Sequence, residues 1–201
     1  MITRAYLRDA LSYEEYRMMG KDLVQQGKTT GPEQTESRIQ FTKLNDKRMD
    51  RLDKTFRLTE EDLAILKTIK KVQHWIVISE MWCGDAAIAL PIINKIAEAN
   101  SKIKLSILLR DENLEIMDLY LTSETRSIPK IIMLDQELHP IGIWGPRPAE
   151  AQQLMNNWKA NPEGSKSEVL EQIQRWYLQD QGRQHVNEIL GLLTQQEKTS
   201  A

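Results

Sequence analysis

The apolar and polar positions divide the chain into three stretches. From residue 1 to about 70, apolar side chains recur at helical spacing. Phe41, Leu44, Met49, Leu52 and Phe56 stand among Lys, Arg and Asp, the pattern of a helix with one apolar face. Ser12 with Glu15 fits a capping box, as does Thr59 with Asp62, each side chain satisfying an orphan backbone donor. The second box opens a short helix through Leu63, Leu66 and Ile69. Between the boxes, the segment from Gly27 to Pro32 is a polar break rich in turn formers. These helices are expected to cover a sheet face, with a partner-binding groove as the alternative.

From about 72 to 158 the period changes. Trp75 to Ile78 is a short β-rich run that reads as a buried strand. A helix is predicted from the region of Cys83 to about Ala99, with Ala86, Ala87, Leu90, Ile93 and Ile96 on its apolar face. Ile103 to Leu109 reads as a second buried strand and Leu114 to Leu121 as a short helix. Strand, helix and strand in this order predict a parallel pair with a right-handed crossover. Lys130 to Leu134 and Pro140 to Trp144 flank the polar turn Asp135 to Leu138 and read as a hairpin. Pro148 then starts a helix to about Trp158.

After Asn161 to Gly164, Ser165 and Glu168 form a third capping-box signal. Val169, Leu170, Ile173, Trp176 and Tyr177 make the stripe of one helix, and Val186, Ile189, Leu190 and Leu193 that of another beyond Gly182. The tail from Gln195 to Ala201 is expected to fray.

Composition adds limits. With 201 residues, 40% of them hydrophobic and 28% charged, a packed core is expected rather than disorder. The 27 basic and 29 acidic residues leave a net charge of −2, so nucleic acid and anionic membranes are not expected as partners. The longest apolar runs are too short to span a bilayer, and the first ten residues hold no apolar run of a signal peptide. A single cysteine rules out an internal disulfide and points to a reducing, cytoplasmic setting. His74, His139 and His185 show no metal-ligand spacing with one another or with Cys83. Trp75, Trp144, Trp158 and Trp176 read as core or interface aromatics.

The candidate chemistry lies at Met81-Trp82-Cys83-Gly84-Asp85, between a predicted strand and a helix start. Unpaired N–H groups and the helix dipole favour negative charge there. Such a position lowers a thiol's pKa below its usual value of about 8.5. Asp85 opposes this with a second negative charge, so the two effects compete and the sequence does not decide between them.

Trp82-Cys83-Gly84-Asp85-Ala86 resembles the Trp-Cys-Gly-x-Cys signature of thioredoxins. Ile128-Pro129 looks like their cis-proline segment, and Pro91 matches the proline that kinks their redox helix. The element order from about 59 to 158 agrees with that fold. The resemblance is closest to the bacterial thioredoxin-like branch with a helical N-terminal extension. It implies an α/β thioredoxin-like fold with a central mixed sheet: an N-terminal helical extension over 1–58, the core over 59–160 and a C-terminal helical extension over 161–201. It also implies Cys83 as catalytic residue, Trp82, Gly84, Ile128 and Pro129 as substrate-binding residues, and no cofactor or metal. A protein or low-molecular-weight thiol or disulfide is the implied partner.

Three departures narrow the functional expectation. Ala86 stands where the family has its resolving cysteine, and Val77 where it has a buried acid. Glu80 precedes the motif and is read either as a substitute for proton transfer, with Asp85 beside it, or as a solvated loop carboxylate. The expected activity is thus single-thiol exchange through Cys83, resolved by an external thiol. The alternative is a non-catalytic binding module of the same fold. A metal cluster shared between chains through Cys83, as in monothiol glutaredoxins, is a third reading, although the motif differs from theirs. Arg110, Arg126 and Arg147 fall at element ends near the motif and are candidate contacts for an anionic group.

Overall fold

A computed structural model describes residues 2–199, the side chains of 195–199 excepted. Its sheet has four strands in the order β2-β1-β3-β4. The strands are β1 (Gln73–Ser79), β2 (Ile103–Leu109), β3 (Lys130–Leu134) and β4 (Pro140–Trp144). β1 runs parallel to β2 and antiparallel to β3, and β3 and β4 form the antiparallel hairpin. Trp75 to Ile78 and Ile131 to Leu134 are wholly excluded from solvent. That explains their unbroken apolar runs, because strands covered on both faces need no polar alternation.

Helices α1 (Arg4–Asp9), α2 (Tyr13–Gln26), α3 (Glu36–Thr55) and α4 (Glu60–Leu66) precede the sheet. α5 (Ala86–Glu98) connects β1 to β2, and α6 (Leu114–Met117) follows a 3-10 turn at Arg110–Glu112. α6 is shorter than the helix expected to Leu121. Helices α7 (Ala149–Ala160), α8 (Lys166–Asp180) and α9 (Arg183–Thr199) end the chain. The capping boxes at Ser12, Thr59 and Ser165 are all formed. The tail expected to fray is helical through Thr199, and residues 200 and 201 lie outside the described residues. None of the described helices is long and apolar enough to cross a membrane.

The two extensions are fastened to the core by specific polar contacts. Leu11 exchanges two backbone hydrogen bonds with Ile107, at 2.9 and 2.7 Å, which covers the outer edge of β2. Arg17, buried on α2, binds Asp46, Asp50 and Asp53 along α3 at 2.8, 2.6 and 3.2 Å. α3 then lies against α5. At the other end, the Asp62 carboxylate both completes the Thr59 cap and accepts from Arg183 at 2.7 and 2.8 Å, tying α9 to α4. Trp144 donates to Glu188 at 2.7 Å, tying α9 to the β4 edge.

The stripe on α3 divides. Met49 and Phe56 are buried, whereas Phe41 and Leu44 stay 46% and 44% exposed. This half of the stripe borders a groove instead of covering the sheet.

Candidate functional site

Strand β1 ends at Ser79, and the next six residues turn the chain into α5. The N-terminal extension holds this turn. Thr30 Oγ1 accepts from the Met81 N–H at 2.9 Å, and Asn45 Nδ2 donates to the Met81 carbonyl at 2.9 Å. Tyr16 and Ser79 share a hydroxyl hydrogen bond of 3.1 Å. The residue two positions before Cys83 is thus fixed at both of its backbone polar groups by elements outside the sheet.

Cys83 lies at the foot of α5 and is 7% exposed. Its thiol donates to the Ile128 carbonyl at 3.3 Å, and the Ile128–Pro129 peptide bond is cis. The structure thereby brings together Trp82, Cys83, Gly84, Asp85 and Ile128 along one groove. The competition at the Cys83 thiol is decided against ionisation. Burial, and then the negative charge of Asp85, push the thiol up to about 12. The backbone N–H groups of Ala86 and Asp85 and the charge of Arg147 act in the opposite direction. A helix start does favour a thiolate, but here desolvation outweighs it.

Asp85 is itself buried, accepting from Arg147 at 2.5 Å and from the Tyr177 hydroxyl at 2.9 Å. Tyr177 comes from α8, so the C-terminal extension reaches the first turn of α5. Glu80 is no solvated loop carboxylate: it is fully buried, and its Oε1 accepts from the Asp111 N–H at 2.8 Å. Burial raises its pKa, against hydrogen bonds from Thr30 and Asp111. Those partners come from the end of β2 and from the N-terminal extension. Val77 lies in the middle of the sheet between Ile107 and Ile131, so hydrocarbon fills the place of the family's acid.

The groove above Cys83 has a volume of about 660 Å³, within the ~300–1,000 Å³ range of small-ligand sites. Its floor is the motif and the segment before Pro129, and its walls are α3 and α8. The guanidinium carbons of Arg38 and Arg110 lie 4.4 and 4.8 Å from the Trp82 ring centroid. Such cation–π contacts hold a side chain that would otherwise be mobile. Arg110, Arg126 and Arg147 all line this groove. Sequence reasoning missed Arg48 on α3 and Gln174 on α8, which also line it, and it read Tyr177 as core only. No local pattern distinguishes these residues, because a side chain on a remote helix gains its role from the tertiary contact.

The histidines stand apart from the groove. His185 is buried against Trp144 and Tyr177, and burial lowers its pKa to about 3. Among the described residues, no cluster of three or more His, Cys, Asp or Glu could hold a metal.

One glycine controls the floor. Gly145 has φ +109°, and a β-carbon there would lie 2.3 Å from the Pro129 carbonyl oxygen. Gly145→Ala is expected to lower unfolding stability by about 1–3 kcal/mol and to alter Cys83 alkylation, because the displaced backbone is the one adjoining Ile128. Urea denaturation checks the first effect, and an unchanged midpoint would show that the loop yields freely.

No curated protein matches this sequence significantly. Among solved structures, a protein of unknown function from Pseudomonas aeruginosa is 19% identical, with a TM-score of 0.56, over 92% of this chain and 98% of that one. An HIV epitope scaffold shows a TM-score of 0.55 at the same identity and coverage. Both are likenesses of fold alone. A family model described as Thioredoxin matches residues 31–159, more than half of the chain and inclusive of α3, the whole sheet and α5. On that match, and with a four-stranded mixed sheet that carries its cysteine at the foot of α5, this chain belongs to the thioredoxin family.

Proposed function

We propose that the protein performs thiol–disulfide exchange through Cys83 alone. The observation that carries this reading is the placement of the Cys83 sulfur. It sits on the floor of a ligand-sized groove, between the Ile128 carbonyl and the backbone N–H groups that open α5. Those N–H groups are the donors a thiolate needs as its negative charge forms.

The step balances without a further oxidant. Cys83 gives up its proton, and its sulfur attacks one sulfur of an external disulfide. The Cys83–sulfur bond forms as the external S–S bond breaks, and the departing thiolate takes up a proton. Ala86 is buried and has no sulfur to attack the new bond, so release requires a second external thiol. The resting thiol is held protonated by burial, which makes the uncatalysed attack slow at neutral pH.

Intact-mass measurement tests the reading. After exposure to a small disulfide at pH 8.5, one adduct per chain is expected, stable until a thiol is added. Ala86→Cys is expected to shed its adduct unaided and end two mass units lighter than the dithiol form. No adduct on a folded protein would overturn the proposal. It would favour a binding module of the same fold, the reading that the burial of Cys83 supports.

A further inference from the structure

We propose that the groove holds a carboxylate beside Cys83, clamped by Arg48 of the N-terminal extension and Gln174 of the C-terminal extension. Arg48 Nη1 and Gln174 Nε2 lie 3.3 and 3.6 Å from the position a β-carbon would take on Gly84. Two donors from helices more than a hundred residues apart therefore converge over the residue next to the cysteine. Neither is engaged by an acid. Arg48 donates only to the Asn45 side chain, at 3.0 Å, and the Gln174 amide has no hydrogen-bond partner among the described residues. A residue larger than glycine at position 84 would occupy the space between them.

The charge around this space is one-sided. Arg38, Arg48, Arg110, Arg126, Arg147 and Lys166 line the groove, against Asp85 and Glu171. Four of the six cations have carboxylate partners. Arg38 meets Glu33, Arg110 meets Asp111, Arg126 meets Asp118 and Arg147 meets Asp85. Arg48 and Lys166 have none within 4.0 Å among the described residues, although the whole chain is slightly acidic. Asp85 is already engaged by Arg147 and Tyr177 and acts on Arg48 only through space, with no direct ion pair. A guanidinium presents a fork that fits a carboxylate in two places, and the primary amide adds a donor from the opposite wall. Phe41 and Leu44 supply an apolar rim next to it. The ligand class is thus a carboxylate-bearing molecule with an apolar portion, seated so that a sulfur within it meets Cys83. This last clause rests on the exchange reading above; the clamp does not.

Two measurements separate the claims. In the first, Cys83 is titrated with a disulfide carrying two carboxylates, dithiobis(2-nitrobenzoate), and with neutral dithiodipyridine. Arg48→Ala is expected to lower the ratio of the two rates about tenfold, and Arg48→Lys to restore part of it. An unchanged ratio in Arg48→Ala overturns the clamp.

In the second, Cys83→Ser protein is titrated calorimetrically with blocked Glu-Ser-Glu and with blocked Gln-Ser-Gln. Binding of the acidic tripeptide alone, weakened about tenfold by Arg48→Ala or Gln174→Ala, supports the clamp even if Cys83 proves inert to both disulfides. Equal behaviour of the two tripeptides, or no binding of either, overturns it.

Discussion

Arg147→Leu is expected to lower the unfolding free energy by about 3–5 kcal/mol, the cost of stranding one member of a buried ion pair. The side chains of Arg147 and Asp85 are only 13% and 8% exposed and meet at 2.5 Å. Leucine at position 147 leaves Asp85 with the Tyr177 hydroxyl as its one remaining side-chain partner. The carboxylate must then stay charged in an apolar surround or take up a proton, and either is costly. The same substitution removes a positive charge that lowers the Cys83 pKa, so alkylation at pH 8 is expected to slow as well. The double variant Arg147→Leu with Asp85→Asn is expected to recover much of the lost stability, because no charge is left unpaired. Denaturant titration of the three variants makes the comparison. A loss under about 1 kcal/mol for Arg147→Leu would mean that water reaches Asp85 at little cost.

The second large effect concerns pH. With the Cys83 thiol pushed up to about 12, the thiolate fraction rises about tenfold per pH unit below that value. The rate of iodoacetamide alkylation is expected to climb about a hundredfold between pH 7 and pH 9 without levelling. A plateau with a midpoint below the ordinary thiol value of about 8.5 would show the sulfur to be activated instead. Asp85→Asn removes a charge that raises the pKa, and an increase in rate of about tenfold at pH 8 is expected. The sign for stability follows from the same shift. The folded chain keeps the Cys83 proton where the unfolded chain has lost it. This group's contribution is therefore complete below pH about 8.5 and declines as the pH rises toward 12. Cys83→Ser is expected to flatten that decline in denaturation curves recorded between pH 9 and 10.5.

The parts of the molecule that local chemistry decides were legible in the sequence. Ser12, Thr59 and Ser165 cap their helices because the partner acid lies three residues on. The apolar runs of β1 and β3 read as buried strands because those strands are covered on both faces. The Trp82 to Ala86 motif fixed the family and the foot of α5. The environment of the sulfur was not legible. A helix start argues for an acidic thiol, and the opposite outcome depends on burial by segments remote in sequence. The burial of Glu80 was not legible for the same reason: Thr30 and Asp111, which surround its carboxyl, lie 50 and 31 positions away. Phe41 and Leu44 belong to a periodic stripe, but only the position of α8 determines that their half of it faces a groove.

Both walls of that groove lie outside the stretch from 59 to 160. Its shape exists only while α3 and α8 are seated together, and so any ligand that touches both reads the population of a joint state. If α8 were seated a tenth of the time, the measured affinity would fall about tenfold with every contact intact. In the other direction, an occupied groove would link the two ends of the chain, and slow hydrogen exchange in one would come to depend on the other. The Tyr177–Asp85 hydrogen bond, beneath the groove, would then act as a latch between ligand occupancy and the seating of the C-terminal helices.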